Sequence, residues 1–536
     1  MNYDRLKLAV SLITLFHEIN AKKPPNILFI IADDLGWADV GFHGAKDVKT
    51  PVIDNLAHSG VILNNYYVQP ICTPTRAQIM TGRYAGRMGL NHHVIFSAQP
   101  NGIPLDEVLL PEYLKKHADY RTHLIGKWHL GMFSYKHLPT RRGFDSFFGY
   151  TMGEEDYFTK ETMAACPHDD AEEPDKNKDW HYSHWTGMDF LKDEQPYKEA
   201  NGTYSTEIYT ERVKTVLKEH KHKHKNKPLF MMVAPQNVHF PQEVPDRFVD
   251  PGIKDPKRRI HSAMVSALDE FVGNLTNAFK TQNMLKDTLI VFTTDNGGQT
   301  IYGSKNTPLR GKKDTLYQGG IRGTAFINGK MVENPGTFSD YQMQTTDWLP
   351  TLIQKYVGVA KFEPVNDLDG ISVDVNEKGK KWSREILVNI DRKWPSFKWV
   401  PHVDKVKPVL IPYPNRFFNT THGNAAILHG QWKLITGDPG WDGWSDEVID
   451  DKLRFEPEIF ERPSVRLYDL ESDPEERENL ALNKPDLVNF LLERLHNFNS
   501  TIIKSPYYPA CDPACDPALR GDHWLPWKPW VKNSNK

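Results

Sequence analysis

Cys72 heads the segment Cys72-Thr73-Pro74-Thr75-Arg76, with Met80-Thr81-Gly82-Arg83 shortly after it. A cysteine beside a proline and an arginine, just ahead of a helical stretch, is placed for chemistry on an anion. Most free cysteines are small buried hydrophobes, so the argument rests on the company this one keeps. Pro74 stands where a helix can begin, and that helix would aim its first amides and positive dipole end at Cys72.

Asp33, Asp34, Asp295 and Asn296 offer oxygen ligands only, which suits a hard divalent cation such as calcium or magnesium rather than zinc. A single aspartate pair at a strand end is ordinarily a turn former or cap. Two such pairs, each ending a buried strand, favour a metal. Arg76, Lys127, His129, His239 and Lys313 add cationic or proton-donating groups, although any one lysine alone would be surface decoration. Together they suit a tetrahedral oxyanion whose charge is neutralised by metal, arginine and lysine. Phosphate and sulfate esters fit equally well.

Four apolar segments must bring these residues together. Asn26 to Ala32 ends at Asp33-Asp34, and Arg121 to Ile125 ends at Gly126-Lys127-Trp128-His129. Leu229 to Ala234 runs into Pro235-Gln236-Asn237-Val238-His239, and Thr288 to Thr294 into Asp295-Asn296-Gly297-Gly298. Continuous apolar strands belong to sheets covered on both faces. Between them, Tyr209, Val213, Val216 and Leu217 share one helical face, as do Met264, Leu268, Phe271, Leu275 and Phe279. The pattern predicts an α/β domain with a mixed, mostly parallel sheet between helices and its site outside the carboxyl ends of the strands.

Beyond about Gly379 the pattern changes. Glu385 to Ile390 reads as a strand, Ala426 to Ile435 as a hairpin turning near Gly430, Leu467 to Leu470 as a further strand, and Pro485 to Phe498 as a helix. A smaller α+β domain with an antiparallel sheet is expected over 381–510, after a catalytic domain over 24–380. The Pro- and Trp-rich stretch 511–536 reads as a tail lying over the surface. The His220 to Lys225 run reads as a solvated helix end rather than a metal tract.

At 536 residues the chain exceeds one usual hydrophobic core. A formal charge of -3 and a pI near 6.7 give no bulk attraction to nucleic acid. Arg5 and Lys7, the apolar stretch Leu8 to Phe16, and Ala21 predict a signal peptide over 1–21, too short to span a bilayer. Sequons at Asn201, Asn274, Asn419 and Asn499 agree with a secretory route. If Cys72 is used chemically, Cys166, Cys511 and Cys515 leave room for one disulfide at most, in a pairing the sequence does not rank.

Cys72-Thr73-Pro74-Thr75-Arg76 with Thr81-Gly82-Arg83, and Gly126-Lys127-Trp128-His129-Leu130-Gly131, resemble the two signatures of the sulfatases in the alkaline phosphatase superfamily. Ala32-Asp33-Asp34-Leu35-Gly36 and Thr294-Asp295-Asn296-Gly297-Gly298 resemble that family's metal-ligand blocks, and Leu309-Arg310-Gly311-Lys312-Lys313 its catalytic-lysine block. Leu138 to Asp145, Asp473-Pro474-Glu475-Glu476-Arg477 and Cys515-Asp516-Pro517 are similar to the arylsulfatase B group, the N-acetylgalactosamine-4-sulfatases, although this chain has far fewer cysteines. The resemblance implies an alkaline-phosphatase-like fold, one calcium ion on Asp33, Asp34, Asp295, Asn296 and residue 72, and oxidation of Cys72 to formylglycine (3-oxoalanine) by the formylglycine-generating enzyme.

Hydrated, that residue carries two hydroxyls, one to attack sulfur and one whose deprotonation by His129 expels sulfate. Arg76 and Lys127 would hold the reacting oxygens, with Lys313 and His239 on the sulfate and leaving group, one of them the general acid. The implied substrate is a sulfated sugar, and the implied location is secreted or lysosomal. A glucosinolate-type sulfate ester is the alternative substrate. A phosphoesterase of the same superfamily would prefer serine or threonine as nucleophile, and a non-catalytic relative would have lost site residues that are all present here.

Overall fold

Asn26–Ala32 forms strand β1 near the middle of a ten-stranded sheet in a computed structural model describing residues 23–164, 185–376, 381–391, 424–437, 439–440, 443–444, 465–505 and 512–528. Ile27, Phe29 and Ile31 point into one core, and Leu28, Ile30 and Ala32 into the other. A strand covered on both faces has no solvent side, which is why its sequence does not alternate. Burying each large apolar side chain contributes roughly 1.5–3 kcal/mol.

The other strands of this sheet are β2 (Val61–Leu63), β3 (Arg121–Gly126), β4 (Ser146–Gly149), β5 (Leu191–Lys192), β6 (Gln195–Pro196), β7 (Leu229–Ala234), β8 (Thr288–Thr294), β9 (Ala325–Asn328) and β10 (Thr337–Ser339). Across the sheet they run in the order β10-β2-β9-β8-β1-β7-β3-β4-β5-β6. The five from β8 to β4 are parallel, and β9 and β5 flank them antiparallel. Ala32 pairs with Thr294, and Ala234 with Gly126. This register ends the central strands side by side, so the polar segments after them emerge at one edge.

Helices α1 (Cys72–Thr81) and α2 (Leu110–Ala118) cover one face of the sheet, and α3 (Ser205–Lys223) and α4 (Pro256–Thr281) the other. The stripes expected on α3 and α4, from Tyr209 to Leu217 and from Met264 to Phe279, are all buried in one core. The Lys-His run closes α3 with only His220 buried. Helix α1 starts at Cys72, two residues before the expected Pro74. First-turn amides have no partner inside a helix, so a proline at the third position sacrifices nothing, and Cys72 itself becomes the first helical residue.

The smaller sheet is antiparallel, with β11 (Glu385–Asp391), β12 (Asn424–His429), β13 (Trp432–Thr436) and β14 (Val465–Asp469) in that order. Helix α5 (Pro485–Asn499) packs Val488, Leu491 and Leu495 onto one face of it. The opposite face, through Ile386, Val388, Leu428 and Ile435, packs on Leu316, Tyr317 and Ile321. The small sheet therefore backs the loop that carries Lys313.

The tail differs from expectation: Trp524 and Cys515 are fully buried in the main core. Trp524 donates from Nε1 to the Thr162 carbonyl at 3.1 Å and from its backbone to the Met188 carbonyl at 3.0 Å. A Pro- and Trp-rich composition reads as unstructured, but tryptophan brings a large apolar area and an N–H that finds an acceptor. Cys515 is a free thiol. Residues 1–21, Cys166, Cys511 and Asn419 lie outside the described residues. Asn201 and Asn274 are exposed. Among the described residues no helix is long and apolar enough to cross a membrane.

Candidate functional site

The segments leaving β1, β3, β7 and β8 are tied together by backbone bonds before any side chain is considered. The Asp33 amide donates to the Asn237 carbonyl at 2.9 Å, the Lys127 amide to the Ala234 carbonyl at 2.8 Å, and the Asp295 amide to the Ala32 carbonyl at 3.2 Å. Gly126 permits the turn into Lys127: its φ is +100°, and a Cβ there would sit 2.0 Å from the Ala234 oxygen. Gly297 is equally constrained, since its Cβ would lie 1.8 Å from the Gly319 oxygen. The Lys313 amide donates to the Gly298 carbonyl at 3.1 Å, which fixes the lysine loop to the β8 segment.

All ten residues singled out in the sequence meet here, and all are buried. Lys127 Nζ lies 2.5 Å from Asp33 Oδ2. Arg76 donates to Asp295 Oδ2 from Nε at 3.1 Å and Nη2 at 2.8 Å, and it reaches Asp33 Oδ2 at 3.3 Å. Lys313 Nζ lies 2.8 Å from Asp34 Oδ1, the oxygen to which Asn296 Nδ2 donates at 2.7 Å. His239 Nε2 stands 3.7 Å from Asp34 Oδ2. Cys72 Sγ is 3.8 Å from Asp33 Oδ1.

Charge is set by this geometry. Burial alone would raise the Asp33 carboxyl, but Lys127, His239 and Arg76 more than offset it and hold the group below its ordinary value. Asp34 behaves likewise, burial being outweighed by Lys313 and His239. Lys313 is held well above its usual range: burial opposes this, and Asp34 overrides it. Burial, reinforced by Lys127 and Arg76, drives His129 well below the usual imidazole range. Burial, with Lys313, also lowers His239. Burial pushes the Cys72 thiol up despite Lys127 and Lys313. Residue 72 is thus a neutral thiol at neutral pH, a weak nucleophile.

Donor chemistry here fits a hard cation. Ligand atoms of Asp33, Asp34, Cys72 and His239 lie within 4.8 Å of one another. Asn296 Oδ1 is buried without a hydrogen-bond partner, and an orphaned amide oxygen beside carboxylates is what a calcium-type ion takes up. Asp295 joins through its Oδ1, which accepts the Asp34 amide at 3.4 Å.

Sequence reasoning misses β4 and the segment after it. The Thr151 and Met152 amides donate to Asp189 Oδ2 at 2.9 and 2.8 Å, and the His129 amide donates to the Thr151 carbonyl at 3.2 Å. The next residues, Gly153 and Glu154, therefore line the site beside His129. The available signal is Phe147-Phe148-Gly149 running into Glu154-Glu155-Asp156, a fifth apolar segment ending in a polar cluster.

A family model described as Sulfatase matches residues 25–356. Arylsulfatase J of Mus musculus is 38% identical over 525 residues, covering 96% of this chain and 81% of that protein. The N-acetylgalactosamine-6-sulfatase of Homo sapiens is 31% identical over 315 residues, covering 56% of each. Among solved structures, Ps i-CgsB in complex with k-i-k-neocarrahexaose superposes with a TM-score of 0.68 at 27% identity, covering 93% of this chain and 98% of that one.

Proposed function

The chain belongs to the sulfatase family, an enzyme of sulfuric-ester hydrolysis, and we propose that it removes sulfate from a sulfated sugar, of the N-acetylgalactosamine-4-sulfate type, using a formylglycine made from Cys72 and one calcium ion. The observation that carries this reading is the state of Cys72: a buried neutral thiol at the head of α1, 3.8 Å from Asp33 and within the field of Lys127 and Lys313. Such a thiol is a poor nucleophile in itself, and its position is valuable only once the side chain is converted.

Asp33, Asp34, Asp295, Asn296 and the oxygen replacing the Cys72 sulfur would hold the calcium ion, which supplies charge neutralisation for the sulfate oxygens. Formylglycine, made by the formylglycine-generating enzyme, would supply in its hydrated form one hydroxyl able to displace the sugar alcohol from sulfur and a second whose deprotonation expels sulfate and restores the aldehyde. The remaining work falls to side chains already in place. Arg76 and Lys127 fix Asp33 and Asp295 and keep positive charge beside residue 72.

His129 Nε2 lies 3.0 Å from the Ile95 carbonyl, and its Nδ1 is buried without a partner. With the Nε2 proton held by that carbonyl, Nδ1 is the free lone pair that accepts the proton from residue 72. His239 Nδ1 lies 2.8 Å from the Phe240 carbonyl, so the neutral ring keeps its proton there. Nε2, 3.7 Å from Asp34 Oδ2, donates to the leaving oxygen only once the ring is protonated, a form that burial and Lys313 oppose and Asp34 favours. Lys313, held protonated by Asp34, serves as a permanent cation on the sulfate and is a poor acid.

Exposed Asn201 and Asn274 and the amino-terminal pattern support passage through the secretory route, to the outside or to the lysosome. The test compares release from nitrophenyl sulfate and nitrophenyl phosphate, then from sulfated galactosamine, heparan fragments and glucosinolates. Sulfate release with preference for the galactosamine ester is expected. Faster phosphate release would overturn the reaction class, and a glucosinolate preference would overturn the substrate.

A further inference from the structure

Glu154 is out of place beside a site proposed to hold an anion. Its carboxyl lies within electrostatic reach of Lys313 and Lys127 first, and of Asp34 and Asp33 after them. It is only partly buried, and it forms no hydrogen bond or ion pair among the described residues. Burial pushes it up to about 7 against the pull of the two lysines. A neighbouring charge that cannot be paired is unfavourable for the resting protein, so a role in the bound state is the physical reason to look for.

The segment that carries Glu154 is rigid. Asp189 takes the two amides of Thr151 and Met152 and, at 2.8 Å, the Thr151 hydroxyl. On the other side, Gln236 donates its side-chain amide to the Glu155 carbonyl. Between these anchors Gly153 packs on the His129 ring, where a Cβ would come within 3.0 Å of Cε1. Glu154 therefore follows directly on the residue packed against the proposed base, with its carboxyl within electrostatic reach of the proposed sulfate-binding lysine.

In its ionised form the carboxyl there cannot bind sulfate and repels any second anion. It can accept a hydrogen bond. Resting on the sulfated-sugar reading above, we propose that Glu154 is a specificity-determining residue: it accepts a hydrogen bond from a hydroxyl or amide N–H on the sugar carbon next to the sulfate ester and rejects sugars bearing a second anion at that carbon. Both effects have the same origin, since a site selects partly by what it repels.

The experiment uses the full-length matured enzyme with three substrates: nitrophenyl sulfate, a monosulfated N-acetylgalactosamine, and its disulfated counterpart. Hydrogen bonds to charged groups are worth enough that Glu154→Ala should raise KM for the monosulfated sugar by about ten- to a hundredfold, and by several-fold less for nitrophenyl sulfate, which has no donor next to the ester. Glu154→Gln keeps an acceptor and removes the charge. It should leave KM for the monosulfated sugar nearer wild type and raise kcat/KM for the disulfated sugar, relative to the monosulfated one, by about tenfold. Calcium affinity should be unchanged in both variants.

Unaltered substrate ratios in both variants would overturn the proposal, as would lost calcium binding, which would make Glu154 a ligand. A fall confined to kcat on the sugar, with KM unchanged, would make it a proton donor and also overturn it. If the wild-type enzyme released no sulfate from any of the three, the underlying sulfatase reading would fall instead.

Discussion

Replacing Lys433 with methionine tests how the small sheet supports the lysine loop. Lys433 Nζ and Glu476 Oε1 are 2.6 Å apart, with both side chains fully buried. Glu476 also accepts the Gln318 amide through Oε2 at 2.6 Å, and its carbonyl receives Arg310 Nη1 at 2.9 Å, so the pair clamps the loop on both sides of Lys313. Burial pushes Glu476 up and Lys433 down, each towards its neutral form. Removing one partner of a buried pair typically costs about 3–5 kcal/mol.

In Lys433→Met the stranded carboxyl escapes by taking up a proton, which sets a ceiling. From the reference value of 4.5 to pH 7, at about 1.4 kcal/mol per unit, protonation costs about 3 kcal/mol. In the variant the folded-state value lies above the unfolded one, so the folded form is favoured at low pH and loses ground as pH rises. Urea unfolding of wild type and variant at pH 7 and pH 5.5 should show a difference of about 3 kcal/mol that shrinks by about 2 kcal/mol in acid. A pH-independent difference, or one below about 1 kcal/mol at pH 7, would refute the clamp.

Chelation should abolish sulfate release and lower the melting temperature, because Asp33, Asp34 and Asp295 lose a cation; added calcium should restore both. Gly126→Ala forces a Cβ to within 2.0 Å of the Ala234 oxygen at a φ of +100°, so it should displace Lys127 and cost at least about 1–3 kcal/mol by thermal unfolding. With the His129 pKa held well below its usual range by burial, Lys127 and Arg76, the base stays neutral as pH falls through 6.5; kcat should lose no His129-dependent activity there, and a one-proton loss near 6.5 would contradict this. Cys72→Ser should leave the unfolding transition intact and abolish turnover, since serine cannot supply the second hydroxyl.

Strands β1, β7 and β8 are legible to the residue because each is an apolar run bounded by Pro, Asp or Asn and buried on both faces. That the ten candidate residues come together is legible for the same reason, since each comes after such a strand or falls in a signature at fixed spacing. Strand β4 is not: its four residues begin at Ser146, and its partners are set by tertiary packing. Glu154 escapes with it. The start of α1 is misplaced by sequence because proline is tolerated throughout a first turn, not only at its opening. The tail is misread because Trp524 and Trp527 bury their rings only when Thr162, Asp512 and neighbouring groups are brought to them.

The central claim is that residue 72 acts as something other than cysteine. Protein made in a host with the formylglycine-generating machinery, digested and weighed at the peptide spanning Cys72 to Arg76, should show that side chain with its sulfur replaced by an aldehyde oxygen, in proportion to the sulfatase activity of the sample. An intact thiol in fully active protein would contradict it.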